Sequence, residues 1–154
     1  MAKFIHIATG EVKVSSTPFT LRVPALGSCI AVIAYDYKQR IGGLAHVMLP
    51  GKSPRTESLK TKYAEDAIGV LFDAMRKSGA KPETTETSLL GGANMLGEGD
   101  LPEKIAESVL GYLKKLDIKP GKMRLGGSKR RSASLRIRSG KIFYTEGDSA
   151  AREL

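Results

Sequence analysis

A single cysteine, Cys29, occurs in the 154 residues, so no disulfide can form within the chain and the composition suits a reducing compartment. No segment approaches the roughly 18 consecutive apolar residues of a membrane span. The opening Met-Ala-Lys-Phe-Ile-His also lacks the apolar stretch of a secretory signal. These absences predict a cytoplasmic protein with no membrane insertion. Internal repeats, low-complexity segments and clustered metal ligands are missing too. Gly51-Lys52-Ser53 has the end of a phosphate loop without the upstream glycine spacing. No cofactor and no metal are expected. The length fits one domain, 1–154, large enough to bury a core without staples.

Positive charge is plentiful: the net charge is +9, with a pI near 9.7. Much of it lies late in the chain, at Lys129, Arg130, Arg131, Arg136, Arg138 and Lys141. Such a run raises a nucleic-acid-binding module as a rival class. Only Phe143 and Tyr144 lie nearby to stack on bases, so specific nucleic acid is not expected as a partner. The alternation Ser134-Leu135-Arg136-Ile137-Arg138 reads instead as one solvated face of a strand.

Chemistry concentrates in residues 26–50, which contain Cys29 and one of two histidines, His46. Aliphatic runs flank a polar centre, Asp36 to Gln39, as in two strands joined by a short loop. Pairing Tyr35 with Arg40 across a four-residue loop sets Cys29 directly opposite His46, with Cβ atoms roughly 4.5–5.5 Å apart. A one-residue slip would separate them onto opposite faces. An imidazole in contact with a thiol can take its proton and hold the thiolate. Gly27 and Ser28 permit close backbone approach, and the Cys29 N–H can support an oxyanion. That points to acyl transfer onto sulfur followed by hydrolysis. The competing reading is plain packing, since a lone cysteine in an apolar run ordinarily serves as a small buried hydrophobe.

The blocks Leu26-Gly27-Ser28-Cys29 and Gly43-Leu44-Ala45-His46-Val47-Met48-Leu49-Pro50 closely resemble the CheD family of chemoreceptor glutamine deamidases. Lys62-Tyr63-Ala64, Gly91-Gly92-Ala93-Asn94-Met95 and Gly126-Gly127 follow in that family's order. The resemblance implies a cysteine-dependent protein-glutamine amidohydrolase converting receptor glutamines to glutamate, with Cys29 as nucleophile and His46 as general base. It implies chemoreceptor cytoplasmic domains as substrate and a CheC-type phosphatase as partner. A regulatory protein acting through that partner with weak hydrolysis is the alternative. Two positions depart from the pattern. The family's threonine six residues before cysteine is Val23 here, so either Thr20, displaced in a bulged loop, or another group orients His46. Arg124 replaces an acidic residue two before Gly126-Gly127.

Elsewhere, residues 3–8 and 11–16 predict a hairpin about Thr9-Gly10, with His6 a strand residue of no chemical role. Residues 51–59 predict a polar loop near the site. A 3.6 period over 61–78 predicts a helix, and Pro102, with Asp100 as cap, opens a second one to about Leu116. Residues 86–90 predict a strand running into Gly91-Gly92, whose glycines would admit close backbone approach or a tight turn. Ser139-Gly140 marks another hairpin, and 147–154 a flexible tail. Two long helices among short strands and hairpins predict an α+β fold, a layered sandwich of mixed or antiparallel sheet.

Overall fold

The computed structural model describes residues 3–97 and 99–154. Met1 and Ala2, at the start of the run tested for a signal, lie outside the described residues. The fold is built on β4 (Ile30–Asp36) and β5 (Ile41–Val47), whose seven residues each are all buried. A strand covered on both faces reads as a continuous apolar run rather than an alternation. These two hold the middle of a central sheet ordered β2 (Val12–Ser15), β5, β4, β6 (Thr85–Gly91), β7 (Lys122–Leu125). On one side lie α1 (Ala64–Lys77) and α2 (Leu101–Lys115). On the other lies a second sheet, ordered β1 (Phe4–His6), β3 (Thr20–Leu26), β8 (Arg131–Arg136), β9 (Ile142–Glu146), β10 (Arg152–Glu153). Each sheet contains one parallel and three antiparallel pairings. The chain is thus a single-domain α+β sandwich.

Two cores result. Val32, Ala34, Ala45 and Val47 pack with Ile68, Leu71, Ile105 and Val109 between sheet and helices. Ala31, Ile33, Tyr35 and Leu44 pack with Leu21, Val23, Leu135 and Ile137 between the sheets. Small residues in β5 let the layers close. A Cβ on Gly42 would lie 2.5 Å from Ile137 Cδ1, and one on Gly43 2.7 Å from Leu71 Cδ1.

Three expectations are corrected. Residues 3–8 and 11–16 do not form a hairpin. β1 runs parallel to β3 in one sheet and β2 antiparallel to β5 in the other, so the Thr9-Gly10 turn carries the chain between sheets. The 147–154 segment is not a free tail: Arg152 and Glu153 pair with Tyr144 and Phe143, and Leu154 packs against the inter-sheet core. In the central hairpin, Tyr35 pairs with Gly42 and Asp36 with Ile41. The loop is therefore Tyr37 to Arg40, one residue later than expected. Asp36 stays in the ladder because its Oδ1 accepts the Lys38 and Gln39 N–H groups at 2.9 and 3.0 Å. Arg40, at φ 54, then turns the chain back.

Candidate active site

The later loop moves the register by two residues, so Ala31 rather than Cys29 lies opposite His46. A two-residue shift leaves both side chains on the same face, because side chains alternate with period two. Cys29 immediately precedes the β4 ladder and packs against the inter-sheet core. His46 shares that side with Leu44, alternate in β5. The two are diagonal neighbours rather than a directly facing pair, a relation with Cα spacing of roughly 7–8 Å in regular ladders.

Cys29 sits where the chain passes from one sheet to the other, between Leu26 of β3 and Ile30 of β4. The double glycine after β6 holds this crossing. Gly92 N–H donates to the Cys29 carbonyl and Ala93 N–H to that of Gly27, both at 2.9 Å. Gly91 has φ +118, and a Cβ there would collide with the Cys29 carbonyl oxygen. Of the two sequence readings for Gly91, close approach is therefore real. His46 is held by the 7–11 crossing: its Nδ1 lies 3.2 Å from the Ile7 carbonyl. Its backbone N–H donates to Glu11 and its carbonyl accepts from Gly10. With Nδ1–H donating to Ile7, the unprotonated nitrogen is Nε2. That nitrogen is buried and has no hydrogen-bond partner among the described residues.

Burial favours the uncharged form of both groups. Burial pushes the Cys29 thiol up from its ordinary range, against a smaller lowering by its own backbone N–H. Burial likewise pushes His46 down, against smaller upward effects of the Ile7 carbonyl and the Glu11 charge. Beside Cys29, Ser28 lines a 180 Å³ cavity together with Ala93, Asn94, Met95, Leu96, Leu101 and Pro102. A larger groove of 680 Å³ lies on the helical side, lined by residues such as Phe72, Met75 and Tyr112. It includes neither Cys29 nor His46.

Thr20 does not join this cluster. It alternates with Leu21 and Val23, which face the inter-sheet core, and so shares the outer face of β3 with Arg22. Its ladder partners are Phe4 and Arg136. Val23 does point into the inter-sheet layer and is buried there. The contact that orients His46 is a main-chain carbonyl, which no side-chain pattern in the sequence could reveal.

Within the basic segment Lys129, Arg130, Arg136, Arg138 and Lys141 are exposed, and only Arg131 is withdrawn from solvent. Arg131 is only 4% exposed and is bound to Glu146 and the Gly91 carbonyl. Arg136 lies over the Phe143 ring at 4.2 Å, and Arg130 pairs with Asp148 at 3.3 Å. Arg131 and Glu146 are the site-adjacent residues that sequence reasoning missed. A signal existed: Arg131 alternates in phase with buried Ala133 and Leu135, and Glu146 with buried Tyr144 and Ile142.

Comparison with known proteins fixes the family. Residues 48–146 match the family model described as CheD chemotactic sensory transduction. A probable chemoreceptor glutamine deamidase CheD of Chlorobium luteolum is 39% identical over 144 residues, 92% of this chain and 72% of that protein. The chemoreceptor glutamine deamidase CheD of Thermotoga maritima is 36% identical over 139 residues, covering 89% and 88%. The chain belongs to the CheD family. The stretch matched by the family model begins two residues after His46, so it contains neither member of the Cys29–His46 pair. Among the described residues no helix is long and apolar enough to cross a membrane, and no three His, Cys, Asp or Glu side chains group as metal ligands.

Proposed function

We propose that this chain is a cysteine-dependent deamidase that converts glutamine side chains on the cytoplasmic parts of chemoreceptors to glutamate. The observation that carries the reading is the unpartnered, buried Nε2 of His46 on the same inter-sheet face as Cys29. A buried polar atom without a partner is costly, and a general base must keep such a lone pair free. The relatives named chemoreceptor glutamine deamidase support the substrate class.

The chemistry follows from that geometry. When the substrate amide enters beside Ser28, His46 Nε2 takes the Cys29 proton as sulfur attacks the side-chain carbonyl carbon. The oxygen becomes an oxyanion, supported by the Cys29 N–H next to Ser28. The imidazolium returns its proton to the departing nitrogen, which leaves as ammonia, and a thioester remains. Water then attacks the thioester with His46 again as base, releasing the glutamate carboxylate and restoring the thiol. Because burial favours the neutral form of both groups, proton transfer is assigned to the attack step rather than to a standing ion pair. Diagonal partners close this distance as substrate binds, as catalytic contacts commonly do.

The test is incubation of a receptor cytoplasmic fragment with the protein, followed by ammonia release and peptide mapping by mass. Conversion of defined glutamines, lost in Cys29→Ala, is expected. An unmodified fragment after prolonged incubation with folded protein overturns the proposal.

A further inference from the structure

Buried arginines are rare, and Arg131 is buried at 4% exposure in the first position of β8. Its main chain lies beside Leu26, three residues before Cys29, at a register shift in β3. Its side chain leaves its own sheet and crosses to the central one. There Nη1 donates to the Gly91 carbonyl at 2.8 Å. Nη2 donates to Glu146 Oε2 at 3.2 Å. The other Glu146 oxygen is occupied by Arg124 at 2.9 Å and Arg152 at 3.2 Å. Glu146 is therefore fixed, and it aims the Arg131 fork. Arg131 Nε has no partner among the described residues, so this fork is not completely satisfied there.

The Gly91 carbonyl belongs to the peptide joining Gly91 to Gly92, and the N–H of that peptide is the donor to the Cys29 carbonyl. One planar unit thus carries the Arg131 contact on its oxygen and the Cys29 contact on its nitrogen. Gly91, at φ +118, gains no restraint from a side chain of its own. The peptide could rotate without steric penalty from a Cβ, and rotation would withdraw the support of the Cys29 backbone. The Gly126 N–H reaches the same carbonyl at 3.1 Å, a weaker main-chain tether.

We infer that Arg131 is a positioning residue: by pinning the Gly91–Gly92 peptide it fixes the Cys29 main chain and so the line along which the thiol meets its substrate. This role rests on the deamidase reading only for its effect on turnover. A one-ångström misplacement of a reacting group can cost about a hundredfold in rate.

Arg131→Ala would empty the space its buried side chain fills and leave Glu146 Oε2 without its donor, which risks the fold, so the test uses Arg131→Lys. Lysine keeps a cation near Glu146 but lacks the planar fork that spans two acceptors. Val109→Ala in the remote helical core serves as a comparison for simple destabilisation. Three measurements are made: steady-state kinetics (kcat and KM) on a receptor fragment, hydrogen exchange of the Gly92 amide, and iodoacetamide alkylation of Cys29. Arg131→Lys is expected to lower kcat about tenfold or more with KM within about twofold, and to speed Gly92 exchange more than global unfolding does. It should also shift the pH profile of alkylation downward, as a loosened crossing lets water reach the sulfur. Val109→Ala should lower the thermal midpoint without any of these changes. Exchange and alkylation need no substrate, so they decide the Arg131 role even if the deamidase reading fails. If Arg131→Lys only lowers the thermal midpoint, with Gly92 exchange and Cys29 alkylation matching those of Val109→Ala, the inference is overturned.

Discussion

Asp36 and His46 both lie in the β4–β5 hairpin, and both are buried, at 0% and 4% exposure. They are served in opposite ways. Asp36 accepts four hydrogen bonds, from Lys38, Gln39 and Lys81 N–H groups and from the Thr84 hydroxyl, all within 3.0 Å. His46 uses Nδ1 and leaves Nε2 bare. The saturated end has no valence left for a substrate and acts as a structural latch. The unsaturated end gives up stability, since an unmet buried group costs about 1–3 kcal/mol, and keeps the lone pair that the proposed mechanism uses for proton transfer. Under the proposed mechanism, saturation more than burial separates structural from chemical polar groups in this hairpin.

The sharpest way to break that contrast is at the sulfur. Cys29→Ala should lower receptor deamidation by about 10⁴-fold or more, to background. Thermal stability should change by only about 1 kcal/mol, because a half-buried thiol is replaced by a methyl. Retained turnover in purified Cys29→Ala, measured by ammonia release, would remove the chemical half of the comparison.

Next in size is His46→Ala, for which a rate loss of about 10²–10⁴-fold is expected. Here some destabilisation is expected too, because the Ile7 carbonyl loses its donor. Asp36→Ala should behave in reverse. Three N–H groups and a hydroxyl lose their acceptor, so stability should fall by about 3 kcal/mol while kcat of the folded protein stays within about twofold. Denaturant titration and kinetics on the same samples separate the two variants. If Asp36→Ala proved as inactive as His46→Ala while folded, the two ends would not be distinct.

Acid and base extend the contrast. Burial alone would raise the Asp36 carboxyl, but hydrogen bonds from Gln39, Lys81, Thr84 and Lys38 outweigh it and hold it below its ordinary value. A group depressed in the folded state adds stability above its unfolded pKa, about 3.9, which is lost as pH falls through the folded value. Asp36→Asn should therefore flatten acid denaturation in that range. At the other end the thiol is raised and the imidazole lowered. Cys29 alkylation should keep rising with pH beyond about 8.5, the ordinary thiol value. A fast plateau already present below neutrality would reveal a standing thiolate–imidazolium pair and contradict the neutral resting site.

Much of this was legible in the sequence, for identifiable reasons. The 3.6-period stripes gave both helices, and Ser139-Gly140 gave the β8–β9 hairpin. Cys29 and His46 were placed on one face despite a register two residues off, because the error preserved parity. What stayed hidden depended on contacts between distant segments. The Asp36 latch draws Lys81 and Thr84 from beyond α1. The carbonyl on His46 comes from Ile7, and Arg131 reaches across sheets to Gly91. None of these has a local periodicity. The β1–β2 segment misled because two alternating runs about Thr9-Gly10 look the same whether they pair together or join different sheets.

The smallest effect is expected at the threonine question, and it refines the chemical end of the hairpin. If a hydroxyl had to orient His46, Thr20→Val would cut activity strongly or Val23→Thr would restore a missing group. The structure argues for neither. Thr20 shares the outer face of β3 with Arg22, while the orienting contact on Nδ1 is already made by the Ile7 carbonyl. Thr20→Val should therefore leave kcat within about twofold. Val23 is buried in apolar surroundings, so a threonine there places a hydroxyl where water cannot reach it, at a cost of about 1–3 kcal/mol. Val23→Thr should lower the denaturation midpoint without raising kcat. A severalfold gain in kcat for Val23→Thr would show that a hydroxyl from β3 can improve on the main-chain carbonyl. His46 would then be under-supported as well as unsaturated, and the division between latch and base would have to include the strength with which Nδ1 is held.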